Sequence, residues 1–160
     1  MKNYFHYIND DRGVHSKVYT ESNSFLSSVK EVYYTFNKEN TFRGMHSQIG
    51  TDKTLTCLNG SFIVYIIDRK RITKNTDDFL QISGSDCYFK LMQPGDPSIY
   101  IPSGCSVGYL SLEENSIMLY LTDKTYEPEN DITDLPAEIV KHLVSYFTNI
   151  SDRDLEAIDE

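Results

Sequence analysis

From residue 29 to residue 122 the chain is a succession of short β-branched and aromatic runs, interrupted about every ten residues by turn-forming residues. That rhythm constrains the fold more than any other feature, because strands so spaced build antiparallel sandwiches or barrels rather than open α/β sheets. The predicted strands are 54–58, 62–67, 79–82, 88–92, 98–101, 106–112 and 117–121. The breaks between them fall at Asn59-Gly60, Ser83-Gly84-Ser85, Gln93-Pro94-Gly95-Asp96-Pro97, Pro102-Ser103-Gly104 and Glu113-Glu114-Asn115. Asn59-Gly60 is the pair that favours a type I′ turn, so the strands flanking it are expected to form a hairpin. The abundance of tyrosine, 12 residues against no tryptophan, suits strands whose aromatic rings carry a polar tip.

The character of the chain changes after Pro128. Asp134-Leu135-Pro136-Ala137-Glu138 has the makings of a helix start, with Asp134 as N-cap and proline in the first turn. Ile139, Leu143 and Phe147, with Val140 and Val144 between them, then form an apolar stripe at helical spacing. This helix, placed at 134–148, is expected to cover a barrel end or to make a subunit contact. The whole chain, 1–160, therefore reads as one all-β domain, a sandwich or barrel, with a C-terminal helix. Residues 1–28 form a polar arm suited to adding a strand to a neighbour, 29–128 the barrel and 149–160 a tail.

A net charge of -9 argues against a nucleic-acid partner, whose binding face is normally basic. No apolar run approaches the roughly 20 residues of a membrane span, and Met1-Lys2-Asn3-Tyr4-Phe5-His6-Tyr7 is too polar for a secretory leader. A soluble, cytoplasmic protein without a membrane partner is expected. Cys57, Cys87 and Cys105 are odd in number and form no CxxC pair, so they are expected to be buried, reduced thiols.

Arg43-Gly44-Met45-His46-Ser47-Gln48 is the segment with the most chemical content. Residues three apart on a strand face opposite ways, so Arg43 and His46 can share a cavity only if the backbone bends between them, and Gly44 permits that bend. By residue type alone, a single strand histidine is more often structural than catalytic. Lys53 and Asp154 by the same standard are surface charges, and Tyr120 is a core strand residue.

The segment resembles the RGxHxQ motif of the dTDP-4-dehydrorhamnose 3,5-epimerase family, which are metal-free cupin-type jelly rolls. The resemblance continues in order. Asp10-Asp11-Arg12-Gly13 is similar to that family's DxRG, and 53–68 to its K…G…D segment. Ile101-Pro102-Ser103-Gly104 is similar to IPxG, 120–128 to YxT…YxP, and Ser151-Asp152-Arg153-Asp154 to SxKD. It implies that His46 is a general base with Asp154 as its carboxylate partner, and that Tyr120 is the acid on the opposite face of the substrate. Lys53 would polarise the substrate ketone and stabilise the developing enolate. Arg43, Arg12, Gln48, Tyr126, Tyr109 and His15 would line the substrate site. The implied substrate is a nucleotide-diphosphate 4-keto-6-deoxy sugar, inverted at C3, C5 or both, with no cofactor. The implied assembly is a homodimer that exchanges N-terminal strands.

This chain also departs from the family pattern. A family histidine after IPxG is replaced by Val107, a carboxylate by Val64 and a lysine by Leu121. The polar QxNxS run gives way to Val32-Tyr33-Tyr34-Thr35-Phe36, and the residues expected after DxRG become His15 and Lys17. The acid–base set survives while the nucleotide-contacting set is altered, which implies a different sugar, a different nucleotide or a narrower reaction. Gln48 stands where many cupins place a second metal-binding histidine, and His6, His15 and His142 make no cluster with His46, so no metal is expected. Two alternatives are a 3,4-ketoisomerase, suggested by Cys57-Leu58-Asn59-Gly60-Ser61, and a catalytically silent sugar-nucleotide-binding cupin, suggested by Val107.

Overall fold

The computed structural model describes residues 7–19, 26, 28–68, 79–82 and 85–144. A separate hairpin, β1 (Tyr7–Asp10) and β2 (Gly13–Ser16), precedes the main body. The body contains β3 (Glu31–Asn37), β4 (Phe42–Gln48), β5 (Lys53–Asn59), β6 (Phe62–Ile67), β7 (Leu80–Gln81) and β8 (Cys87–Met92). It continues with β9 (Ile99–Ile101), β10 (Ser106–Ser111), β11 (Ser116–Thr122), β12 (Asp131–Thr133) and helix α1 (Ala137–Val144). A six-stranded sheet has the order β12-β4-β10-β6-β8-β7 and a four-stranded sheet the order β3-β11-β5-β9. All pairings are antiparallel and most join strands distant in sequence, the arrangement of a jelly roll.

Alternation along the strands divides the apolar residues between two cores. Leu55, Cys57, Phe62, Val64, Ile66, Val107, Tyr109 and Met118 fill the space between the sheets. The intervening residues Ile63, Tyr65 and Ile67 of β6 point the other way and meet Phe42, Met45, Leu135, Ile139 and Leu143. Strand β6 is therefore buried on both faces. Helix α1 thus lies on the outer face of the larger sheet and not over a barrel end. The reason is the continuous apolar run Phe62–Ile67, whose second face has to be covered. Ile139 and Leu143 supply the cover, each burial stabilising by about 1.5–3 kcal/mol. All three cysteines are buried free thiols.

The turn at Asn59-Gly60 differs from expectation. Asn59 is the last residue of β5 and pairs with Ile117, while β5 and β6 belong to different sheets. Gly60, at φ +75°, turns a corner from one sheet to the other instead of closing a type I′ hairpin. A Cβ at Gly60 would collide with Ser116, so the corner requires glycine. Strand β12 was not expected from sequence; it extends the sheet past residue 128 by pairing Asp131 with Gln48 and Thr133 with His46.

The bend at Gly44 is present as a β-bulge. Arg43 pairs with Tyr109 and His46 with Val107, so Gly44 and Met45 oppose the single residue Gly108. Gly44 has φ +126°, and a Cβ there would lie 2.5 Å from Gly108 Cα. A Cβ on Gly108 would lie 2.7 Å from Met45 Sδ and 2.8 Å from the Arg43 carbonyl oxygen. Two glycines facing each other are what this strand crossing needs. Gly44→Ala and Gly108→Ala should each destabilise the fold by about 1–3 kcal/mol through overpacking, seen as a lower urea midpoint at unchanged slope. An unfolding free energy within about 0.5 kcal/mol of wild type for both variants would show that the strands do not approach this closely.

Candidate active site

The bulge changes which way β4 points. Side chains of antiparallel partners lie on the same face, so Arg43 follows Tyr109 and His46 follows Val107, both toward the space between the sheets. Gln48, two residues beyond His46, shares that face, as do its β12 neighbours Asp131 and Thr133. The opposite wall comes from the four-stranded sheet. Tyr120 and Lys53 have the same parity as the core residues Met118 and Leu55, and Glu31, Tyr33, Thr35 and Asn37 of β3 align with them. One cleft therefore has His46 on one sheet and Tyr120 and Lys53 on the other.

His46 is held from β12. Its Nδ1 lies 3.2 Å from Thr133 Oγ1 and 3.8 Å from Asp131 Oδ2. The Tyr126 hydroxyl donates to the same Asp131 oxygen at 3.2 Å, and the Tyr126 backbone N–H donates to Glu31 Oε2 at 3.0 Å. Tyr126 thus closes the loop over the cleft with its ring half exposed. Lys53 is buried, which pushes its ammonium pKa down; the negative charge of Asp131 works in the opposite direction. The Gln48 side chain is buried, and its Nε2 has no hydrogen-bond partner among the described residues. A buried donor left unsatisfied costs about 1–3 kcal/mol, which makes Gln48 a ready partner for a bound oxygen.

A group of tyrosines builds the other half. Tyr33 stacks on Tyr120 with ring centroids 4.6 Å apart and planes at 9°. Tyr109 is fully buried, with its ring centroid 6.2 Å from that of Tyr120 and its hydroxyl 2.5 Å from Thr35 Oγ1. Burial raises the pKa of Tyr120 well above that of free tyrosine, with Tyr109 and Tyr33 adding to the effect and Arg43 opposing it. The phenol is thereby kept protonated, as a proton donor requires. Burial likewise raises Tyr33 and Tyr109. Arg43 Nε donates to Asn37 Oδ1 at 2.8 Å, which aims the guanidinium along this wall.

The remaining sequence-derived candidates are placed differently. Arg12 and His15 are exposed on the β1–β2 hairpin, and the Arg12 guanidinium is paired with Asp10 of the same turn at 2.5 Å. Asp154 and the tail lie outside the described residues. Tyr109 supports Tyr120 from within the wall, its ring beside that of Tyr120 and its hydroxyl bonded to Thr35. Asp131, Thr133, Tyr33, Thr35 and Asn37 were not singled out from the sequence. The spacing of Asp131 and Thr133 two apart, after a proline, was the one available signal for β12. Among the described residues, no group of three or more His, Cys, Asp or Glu side chains is arranged to hold a metal ion. No helix among them is long and apolar enough to cross a membrane.

Solved structures share this architecture. The rmlC epimerase of Mycobacterium tuberculosis superposes with a TM-score of 0.70 at 24% identity, over 94% of this chain and 78% of that one. ChmJ, a 3'-monoepimerase from Streptomyces bikiniensis in complex with dTDP-quinovose, gives 0.74 at 20% identity, over 96% and 80%. The dTDP-6-deoxy-D-glucose-3,5-epimerase RmlC of Legionella pneumophila, in complex with dTDP-4-keto-L-rhamnose, gives 0.73 at 14% identity, over 95% and 82%. At these identities the common property is the cupin-type fold. No curated protein matches the chain significantly in sequence. The family model described as dTDP-4-dehydrorhamnose 3,5-epimerase matches residues 4–159, and with nearly the whole length matched the chain belongs to that family.

Proposed function

We propose that this chain inverts C3, C5 or both of a nucleotide-linked 4-keto-6-deoxy sugar, without a metal, as a cytoplasmic homodimer. The observation that carries the reading is the placement of His46 and Tyr120 on opposing sheets of one cleft. A sugar ring lying between the sheets then meets a base on one face and a phenol on the other, which inversion at carbon requires. Neutral His46 removes the proton next to the C4 ketone. Lys53 and the unsatisfied Gln48 Nε2 stabilise the enolate oxygen in a site where burial strengthens each charge–dipole interaction. Tyr120 returns a proton on the opposite face. Asp154 is assigned to His46 as carboxylate partner on the strength of the family motif alone.

The nucleotide end is assigned to Arg43, Arg12 and His15, with Tyr126 at the mouth. Glu31 and Tyr33 occupy β3 positions facing the cleft, and a carboxylate there disfavours a phosphate held close to that strand. The nucleotide is thus held differently from dTDP in the rhamnose enzymes. The homodimer is supported by Val32, Tyr34 and Phe36, which are 60%, 66% and 58% exposed along the outer face of edge strand β3. A silent binding protein is the second reading, favoured by the apolar Val107 directly opposite His46.

Two variants separate these readings. His46→Ala should cut exchange of substrate α-protons with solvent deuterium by ~10²–10⁴ while nucleotide affinity stays within a few-fold. Tyr120→Phe should retain exchange but lose inverted product by a similar factor. Near-normal epimerisation by both variants would remove the assignment, and absence of exchange in wild type across dTDP, GDP and CDP sugars would favour the silent reading. Sedimentation at micromolar concentration should give a dimer that Phe36→Glu weakens. A monodisperse wild-type monomer would contradict the assembly.

A further inference from the structure

We propose that Tyr33 is a positioning residue for the reaction: its ring, lying flat against that of Tyr120, fixes the line along which the Tyr120 hydroxyl delivers a proton and so sets how often abstraction ends in inversion. The inference rests on Tyr120 acting as the acid, and Tyr33 works through Tyr120 and not on the substrate.

The case begins with the pairing of β3 and β11. Tyr33 is the direct antiparallel partner of Tyr120, so the two side chains leave their strands side by side on one face. Their ring centroids are 4.6 Å apart and their planes differ by 9°, a parallel stack. The last torsion of a tyrosine side chain sits in a broad well, so the ring is held only as firmly as its neighbours hold it. Tyr120 has three such neighbours. Leu55 is its register partner on β5, the side away from Tyr33, and Tyr109 stands 6.2 Å off on the facing sheet, tilted by 44°. Leu55 and Tyr109 are fully buried core residues, whereas Tyr33 is 41% exposed on the edge strand of its sheet. Tyr33 therefore adds less to the core than the other two, and the face that it covers is that of Tyr120.

The next inward residues of β3 play the same kind of part. Thr35 Oγ1 lies 2.5 Å from the Tyr109 hydroxyl, and Asn37 Oδ1 accepts from Arg43 Nε at 2.8 Å. Tyr33, Thr35 and Asn37, spaced by two along one strand face, thus each order one side chain of the cleft. The chemistry makes the order of Tyr120 count. Abstraction moves the proton to His46 and leaves the electron pair of the C–H bond in an enolate. Tyr120 can then protonate the carbon from the far face, which inverts it; the phenolate and the imidazolium afterwards re-equilibrate with solvent. The imidazolium can instead return a proton from the near face, which restores the starting configuration and, after exchange with solvent, leaves deuterium there. Delivery by Tyr120 needs its hydroxyl on the axis through that carbon, so a ring free to tilt loses ground to return by His46.

Two measurements on the full chain test the role. The first compares inversion with α-proton exchange in deuterated solvent, using whichever of the dTDP-, GDP- and CDP-linked 4-keto-6-deoxyhexoses wild type turns over. Tyr33→Leu and Tyr33→Thr, both side chains that a strand accepts, should lower the ratio of inversion to exchange by roughly 10–100-fold. Tyr33→Phe should keep the wild-type ratio, because the stack needs the ring and not its hydroxyl. A loss of stability or of substrate affinity lowers both rates together and leaves the ratio where it was. The second measurement is NMR of the Tyr120 ring without substrate, assigned with Tyr120→Phe: the ring should flip faster in Tyr33→Leu than in wild type or Tyr33→Phe. An unchanged ratio in Tyr33→Leu and Tyr33→Thr, even at lower rates, or a ratio that Tyr33→Phe fails to hold, would overturn the proposal. If wild type exchanges no proton in any of these sugars, the epimerase reading fails, and the ring-flip measurement still decides whether Tyr33 orders Tyr120.

Discussion

The approach of Gly44 to Gly108 is the contact on which the cleft depends. Without the bulge, Arg43 and His46 would face opposite sides of β4, and one of them would enter the apolar layer beneath α1. With it, Met45 takes the outward position and packs with Ile139 and Leu143 while both polar side chains turn inward. The same few residues therefore settle two matters at once, the seal between sheet and helix and the polarity of the cleft. A strand with no glycine at either position has no room for this crossing, because an added Cβ meets backbone atoms on the other strand.

The second constraint is electrostatic. Lys53 is buried in a chain of net charge -9, and burial alone favours its neutral form. Asp131 opposes that tendency without being fully committed to Lys53, since it also accepts from Tyr126 and lies beside His46. On the opposite wall, burial keeps Tyr120 protonated, while Tyr33 stacks on its ring and Tyr109 packs at a tilt beside it. Val107, paired with His46, makes the neighbouring part of that sheet's wall apolar.

Much of this was legible in the sequence wherever the signal was local. Short β-branched and aromatic runs located β6, β8, β10 and β11, and Gly44 between Arg43 and His46 indicated the bend that brings them together. What sequence could not supply was the identity of distant partners. Asn59-Gly60 has the same turn chemistry whether the chain folds back into a hairpin or turns a corner between sheets; the choice is made by β11, which pairs with β5 from more than fifty residues away in the chain. The helix stripe was visible, but its seat on the outer face followed from β6 being apolar on both sides. Strand β12 has only three residues, Asp131, Ile132 and Thr133, too few to show a period, so the carboxylate beside His46 went unnoticed.

His46 and Tyr120 are proposed to meet one substrate ring from opposite faces. A crystal structure with an unreactive nucleotide-linked 6-deoxy sugar bound, such as a 4-hydroxy analogue, tests this placement most directly. The expected result places the ring between the two sheets, with His46 Nε2 facing a C3 or C5 hydrogen from one side and the Tyr120 hydroxyl facing the same carbon from the other. A sugar bound outside the cleft, or with both side chains on one face of the ring, would contradict it.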